Sequence, residues 1–494
     1  MSTFAQHSKT IFGNALPSID ELWEDARFSP NSRQKEAILH VDGPLYLTAG
    51  PGSGKTRVLL WRTVNLIVYH DVPPAEIFLS TFTEKAARQL KEGLRALLGM
   101  VSNHTGQPYD LSGMYIGTVH SLCQRMLSDR RRFFSDRHRH RPPTLKDELG
   151  QYFHLSDNRN WTQITAHAGM DAEEAQQRIN RIFGRDSRSK HRAVTNCISI
   201  FNRFSEETIE PNEARKKLAN GETLNGIEAD DILFLLDLYE GYLQSLQPVG
   251  TSARLTDFAL LQKEAYQVLD QFPGSGQVFR HVIVDEYQDT NAIQERIFFK
   301  LAEGTGNICV VGDDDQALYR FRGATVENFV QFPQRCQSYL GRTPHRIALD
   351  INYRSRQDIV AFYSRFIEQS NWRAADGTSY RVEEKNIQAH RLDPHPAVTV
   401  TSHVESEEAC AEIAQLVRKL IDEGKVDNPN QIAFLYPSLK SAYVSRMITA
   451  LETVGLRVYA PRAGRFLEVA EAMDVFGVFL RILGRPSFAA WGRM

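Results

Sequence analysis

Short apolar runs at 45–49, 77–81, 282–285 and 308–312 punctuate the first two thirds of this chain. Runs that are apolar throughout, with no polar alternation, predict strands buried on both faces, as in a parallel sheet. Segments with helical apolar spacing separate them, the first over 57–69. The pattern is the α/β alternation of a parallel sheet domain. Between the second and third runs lies a long, mostly helical stretch, 97–277. In it Ile232, Leu235, Leu236, Tyr239, Leu243 and Leu246 recur at helical spacing behind Asp230 and Asp231 as candidate caps. This predicts a helical domain inserted into the sheet domain. After 332 the alternation resumes, with strands at 346–349, 397–404, 431–436 and 456–459. Helices are expected from 356, over 405–422 and 441–454, and over 467–483. A second α/β domain is the simplest reading, joined through a polar, loose connector at 373–396. The expected boundaries are 1–97 and 278–332 for the first sheet domain and 98–277 for the insertion. The second α/β domain spans 333–484, and a further region starts at 485–494.

Composition narrows the partners. At 494 residues the chain is too long for one core. A net charge of −2 argues against a uniformly basic nucleic-acid coat, so any such binding must use a local groove. The five cysteines (Cys123, Cys197, Cys309, Cys336, Cys410) are scattered and suggest neither a metal site nor a disulfide framework. Residues 1–10 lack a signal pattern, and no run approaches the ~20 apolar residues of a membrane span. The expectation is a cytoplasmic protein with no membrane partner.

The first apolar run opens into Ala49-Gly50-Pro51-Gly52-Ser53-Gly54-Lys55-Thr56 and then a helical pattern. Strand, glycine-rich loop and helix in that order form a phosphate-binding loop. Glycines let successive N–H groups point at phosphate oxygens, and the helix turns its positive end to the same anion. Lys55 reaches the terminal phosphates and Thr56 offers a hydroxyl to Mg²⁺. The usual first glycine is replaced by Ala49. The third run ends in Asp285-Glu286. Paired acids at a strand tip also occur as solvated turn residues. Behind a phosphate loop, Asp285 is expected to hold Mg²⁺ and Glu286 to polarise the attacking water. A basic run, Arg130-Arg131-Arg132 through Arg141 with Phe133 and Phe134 inside it, fits a nucleic-acid surface or, equally, a solvated helix end.

The motifs then accumulate. Gln34-Lys35-Glu36-Ala37-Ile38 resembles a Q motif. Thr81-Phe82-Thr83-Glu84-Lys85-Ala86-Ala87 resembles motif Ia, and Gly117-Thr118-Val119-His120 motif Ib. Leu255-Thr256-Asp257-Phe258 resembles the short motif that precedes the acidic strand. Val284-Asp285-Glu286-Tyr287-Gln288-Asp289-Thr290 resembles motif II. The stretch from Val311-Gly312-Asp313-Asp314-Asp315-Gln316 to Gly323-Ala324 resembles motif III, and Asn352-Tyr353-Arg354-Ser355 motif IV. Together, and in this order, they resemble the superfamily 1A DNA helicases of the UvrD/Rep/PcrA type. The resemblance implies an α/β fold: a P-loop NTPase (RecA-like) parallel-sheet motor domain with an inserted helical domain, plus an incomplete second RecA-like domain. It implies ATP and Mg²⁺ as cofactors, with single-stranded DNA and single-strand/double-strand junctions as partners. Lys55, Asp285, Glu286, Gln316 and Arg354 take the catalytic roles, and Thr56 and Asp285 the metal. Gln34, Ala49 to Thr56, Arg57 and Tyr353 hold ATP, with Gln34 reading the adenine edge and Tyr353 offering it a flat ring. Phe82, Thr83, His120, Tyr319, Phe321 and Arg322 hold DNA, the aromatics by stacking on bases. Burial in the core is the other reading of Tyr319 and Phe321.

The family's last two motifs, a T-x-H…K-G-L-E pattern and a T-R-A-like pattern whose arginine completes the ATP site, do not occur in these residues. Two expectations follow. One is an ATP-dependent 3′-to-5′ helicase of DNA repair or replication. The other is a truncated ATP- and single-strand-binding module without autonomous unwinding, to which another chain would supply the missing motifs.

Overall fold

The computed structural model describes residues 10–11, 14–129, 133, 143–219, 228–247, 254–272, 274, 277–320, 323–375, 377–382, 385–393, 395–400, 405–439, 441–459 and 470–483. The chain forms two compact units, 1–394 and 395–494.

The first unit is organised by one six-stranded sheet. Its strands are β1 (Leu45–Ala49), β2 (Ile77–Thr81), β3 (Tyr115–Thr118), β4 (His281–Val284), β5 (Ile308–Gly312) and β6 (His345–Leu349). They lie in the order β6-β1-β5-β4-β2-β3, every pair parallel. The fold class expected from the alternation is therefore the one observed. Every residue of β1, β2, β4 and β5 is buried, as continuous apolar runs require when helices cover both faces. One face packs on a cluster that includes Trp23, Leu59, Trp61 and Leu94. The other packs on a cluster that includes Phe78, Tyr115, Phe279 and Phe298.

Two strands depart from the sequence reading. Tyr115–Thr118 forms an edge of the sheet, beyond residue 97, where the insertion was expected to begin. The expected strand at 346–349 does not start a second sheet. It pairs with β1, Ile347 opposite Leu47 and Leu349 opposite Ala49, because those apolar residues complete the first core.

The insertion is helical as expected. Its helices run from Glu148–Ser156 to Ala229–Ser245 around Trp161, Phe201, Tyr239 and Tyr242. Asp230 and Asp231 do not cap the last of these; they lie in its first turn, where Asp231 pairs with Arg178 at 2.8 Å. A short parallel pair, Thr144–Leu145 with Leu255–Thr256, closes the insertion at its base. Asp257 then caps the helix Phe258–Gln271 and accepts from Tyr242 Oη at 2.6 Å and Gln151 Nε2 at 3.1 Å. One buried carboxylate thus joins the insertion's helices to the helix Phe258–Gln271, whose Leu261, Ala265 and Leu269 pack in the sheet's second cluster.

The connector expected to be loose is built in. β7 (Ile351–Arg356) pairs in parallel with β8 (Gln388–Arg391), and the side chain of Lys385 between them is withdrawn from solvent. Its polarity misled the reading, because polar residues here satisfy other buried polar groups instead of water.

In the second unit, helices Ser406–Asp422 and Ala442–Thr453 pack through Cys410, Ala414, Val417, Met447 and Leu451. The helix Ala470–Leu483 is also present. Strands expected at 397–404, 431–436 and 456–459 are not formed among the described residues. Ile432, Phe434, Tyr436, Leu456 and Val458 do lean on the helices, while Leu435 is 91% exposed. The alternation is real, but the segments have no hydrogen-bonded ladder, and a strand is defined by its partner.

Candidate active site

Strand order decides which loops meet. β5 lies between β1 and β4, so the loop leaving β5 emerges between the loops leaving β1 and β4. All strands are parallel, so these three loops share the C-terminal edge, where open α/β sheets bind ligands.

The loop after β1 is the glycine-rich one. Gly52 has φ +68°, and a Cβ there would lie 2.7 Å from Arg354 Cβ and from Asn352 Oδ1, so no other residue fits. Tyr353 N–H donates to Gly52 O at 3.0 Å. Motif IV thus sits directly on the phosphate loop and brings Arg354 beside it. Asn352, fully buried, accepts from the N–H groups of Arg354 and Ser355 and fixes that turn. The helix Lys55–Val68 starts at the end of the loop. Thr56 and Arg57 are exposed, and Arg57 lies over the Phe28 ring at 4.4 Å.

Gln34 is buried with both ends of its amide engaged. Its Oε1 accepts from Asn31 N–H and its Nε2 donates to Ser53 O at 3.0 Å. It braces the phosphate loop, and one N–H and one lone pair remain for a base edge. Asn31 Nδ2 also donates to Tyr353 Oη at 2.9 Å, and the Tyr353 ring lies 4.8 Å from that of His390.

The acids follow β4. Glu286 has φ +53°, a left-handed conformation that strains a residue with a side chain by roughly 1–3 kcal/mol. That backbone brings its Oε2 to 3.0 Å from Lys55 Nζ and 2.9 Å from Gln288 Nε2. Lys55 and Glu286 are thereby paired across the pocket. Asp285 is buried, and burial together with Glu286 pushes its carboxyl up to about 7, against the pull of Lys55. Burial and Glu286 likewise push Asp289 up to about 7.

These residues fit Mg²⁺. The donors are hard oxygens, few in number, beside a phosphate cradle, as that ion prefers. A divalent cation would relieve the burden that burial places on Asp285. Ser53 Oγ, buried and without a protein partner, faces the same need for a ligand.

Gln316 closes the loop after β5, and its Nε2 donates to Asp313 Oδ2 at 2.6 Å. Asp313 N–H donates to Gln288 Oε1 at 3.0 Å. Hydrogen bonds therefore run from Lys55 through Glu286 and Gln288 to Asp313 and Gln316. Gln288, Asp289, Asp313 and Asn352 were quoted within motifs but given no role from the sequence.

The same sheet edge borders a cleft of about 910 Å³ between the sheet loops and the insertion. Phe82, His120 and Tyr319 line its sheet side; Gln151, Asn202, Arg203 and Glu206 line the other. Phe82 and Tyr319 are half-buried with ring centroids 4.9 Å apart, so Tyr319 is a cleft residue, not a core one. Thr83 is exposed and caps the helix Glu84–Thr105. His120 packs edge-on to Phe258 and hydrogen-bonds Gln262 at 3.0 Å; burial holds its imidazole below the ordinary value, against the pull of Glu84. Phe321 and Arg322 lie outside the described residues, as does most of the basic run. Phe133 in that run is described, and it is core: it packs on Tyr115 and Phe279 and cannot meet a base. The insertion-side residues were not singled out from sequence, because nothing in a polar helix face marks which turn borders a cleft.

Residues 30–337 match the model of the UvrD/REP helicase N-terminal domain. The chain is 29% identical over 479 residues to the ATP-dependent DNA helicase UvrD1 of Mycobacterium tuberculosis, covering 93% of this chain and 53% of the relative. It is 28% identical to DNA helicase II of Haemophilus influenzae, covering 94% and 55%. It is 29% identical to the ATP-dependent DNA helicase SRS2 of Saccharomyces cerevisiae, covering 72% and 28%. The chain spans about half the length of the first two. No helix among the described residues is long and apolar enough to cross a membrane.

Proposed function

The chain belongs to the UvrD/REP helicase family, and on that premise we propose that it couples ATP hydrolysis to 3′-to-5′ movement along single-stranded DNA, in repair or replication. One observation supports this most. A single short loop, Asp313 to Tyr319, is hydrogen-bonded through Asp313 to Gln288, the partner of Glu286, and carries Tyr319 beside Phe82 in the cleft.

In this reading Lys55 and the loop N–H groups hold the β- and γ-phosphates. Phosphate draws Lys55 from Glu286, whose carboxylate is then free to take the proton of the attacking water. Arg354 adds positive charge from motif IV. Thr56 and Asp285 would hold Mg²⁺, which neutralises charge on the phosphates when bound. Gln34 and Tyr353 flank the base. Phe82 and Tyr319 stack on DNA bases without reading sequence, and Thr83, His120, Phe321 and Arg322 complete the DNA contacts.

The test is the ATPase rate of the purified 494-residue chain with and without an oligothymidylate. A DNA-stimulated rate is expected, and Glu286→Gln should retain ATP binding while losing about 10²- to 10⁴-fold in rate. A chain that bound neither ATP nor single strands would refute the proposal.

A further inference from the structure

Between β7 and β8, residues 381–382 and 385–387, of no named motif, contact both loops of the proposed ATP pocket. Lys385 Nζ lies 2.6 Å from Asp313 Oδ1 and 3.4 Å from Asp315 Oδ2, and it also pairs with Asp314. The lysine side chain is 4% exposed, and those of Asp313 and Asp314 are wholly buried. Arg381 grips Asp315 with two hydrogen bonds, at 2.8 and 3.2 Å, and Val382 N–H donates to Asp314 Oδ2 at 2.8 Å. At the far end Ile387 fills the space beside Gly50 of the phosphate loop, where a Cβ would collide with its Cδ1.

Three consecutive carboxylates at one strand end repel one another, and burying them without a cation is prohibitive. Lys385 is the buried cation that permits the arrangement. Burial alone would lower its ammonium, and the three carboxylates outweigh that and hold it above its ordinary value. Asp313, fixed by Lys385 through one oxygen, holds Gln316 through the other. Three residues further on, Tyr319 faces Phe82. The strap therefore fixes a loop that is hydrogen-bonded through Asp313 to Gln288, the partner of Glu286, and that reaches the cleft at Tyr319.

We propose that Lys385, assisted by Arg381, is a positioning residue that couples the ATP pocket to the DNA cleft by holding the 313–319 loop. The inference rests on the family reading above, and its test does not require turnover. Coupling between two ligands is reciprocal and is measured as a ratio of affinities. The single-strand Kd of the 494-residue chain is measured with an oligothymidylate, with and without Mg²⁺ and a non-hydrolysable ATP analogue. The parent ratio should differ from unity by roughly 5- to 150-fold. In Lys385→Met the ratio should fall to within about twofold of unity, while each ligand alone binds within about threefold of the parent. Lys385→Arg, which keeps the cation, should recover most of the ratio. If Lys385→Met fails to fold, Arg381→Gln carries the test, since it removes two hydrogen bonds and only a partly exposed charge; its ratio should shrink by half or more. A parent-like ratio in the variant that folds overturns the proposal, as does loss of either ligand's own binding in that variant. A parent that binds both ligands without coupling overturns it too. A parent that binds neither ligand overturns the family reading beneath it.

Discussion

At the ends of β1 and β4 the side chains are held by charge: Lys55 by Glu286, and Asp285 under strain from burial. In the cleft bordered by the ends of β2, β3 and β5 they are held by ring contacts and neutral hydrogen bonds, as Phe82 by Tyr319 and His120 by Gln262. The two sites share one sheet edge and differ in chemistry. A triphosphate is small, fixed in shape and highly charged, so it rewards a few exact cations and backbone N–H groups. A single strand of arbitrary sequence offers a repeating π-face, which half-buried rings meet without choosing among bases. If this contrast is right, mutations on the two sides should separate cleanly in which ligand they affect and in how salt modulates the loss.

The sharpest break should come at Lys55. Lys55→Ala removes the cation proposed to hold the terminal phosphates, together with charge-assisted bonds worth ~1.5–3 kcal/mol each. ATP affinity, by equilibrium binding of a fluorescent analogue, should fall at least about 100-fold. Single-strand affinity without nucleotide should be unchanged within about twofold, since Lys55 pairs across the pocket with Glu286 and does not line the cleft. Parent-like ATP binding would remove the phosphate role.

Next in size is Tyr319→Ala. Loss of one base stack, ~1–3 kcal/mol, should weaken single-strand binding about 5- to 150-fold at any salt concentration. ATP affinity alone should be retained. A variant that kept affinity at low salt and changed the salt slope would show that Tyr319 acts on phosphate and not on bases.

These two sites were not equally legible. The phosphate loop and the acid pair could be read because their chemistry is local: eight consecutive residues make the cradle, and two consecutive acids end a strand. Phe82, His120 and Tyr319 needed the motif order, since an aromatic or histidine beside a strand end has no chemical signature of its own. Lys385 was beyond reach. Its partners lie some seventy positions earlier, and the segment around it has the composition of a connector. The signal that existed was on the other side, in Asp313-Asp314-Asp315, a triplet that predicts a buried cation without saying where in the chain it lies. The basic run misled in part, because Phe133 is apolar enough to enter the core whatever charges flank it. Element types in the first unit were read well, since buried parallel strands are continuous apolar runs. Sheet membership was not, because β6 carries no mark of which sheet it joins.

A smaller effect tests how little charge the cleft uses. Its described lining includes Arg203 and Arg320 against Glu84, Glu148, Glu206 and Asp289. Two phosphate contacts imply a log–log salt slope of only about −1.4 from this lining, at −0.7 per phosphate on single strands. Arg203→Ser should flatten the measured slope by about 0.7 and leave ATP affinity alone. An unchanged slope would place the ionic contacts elsewhere, the basic run at 130–141 being the first place to mutate.

The smallest effect is a pH dependence of single-strand binding. Burial pushes Glu206 up to about 7, with Glu207 and Asp257 raising it further and Arg203 opposing. Its folded value lies above the ordinary carboxylate one, so the protonated form is favoured in the fold. Its contribution to stability is complete below about 4.5 and is lost as pH rises through 7. The same proton matters for DNA. At pH 6 the group is mostly neutral, and at pH 8 it places a negative charge in the cleft proposed to hold phosphodiesters. A screened unit charge at this range is worth about 1 kcal/mol, so single-strand affinity should fall roughly threefold to fivefold from pH 6 to pH 8. Asp289 borders the same cleft and titrates over the same range. Glu206→Gln should therefore remove part of the dependence, and the double variant with Asp289→Asn nearly all of it. An affinity that rose with pH, or a dependence that survived both substitutions, would show that the cleft is more strongly ionic than its described lining implies, and the contrast between the two sites would fail.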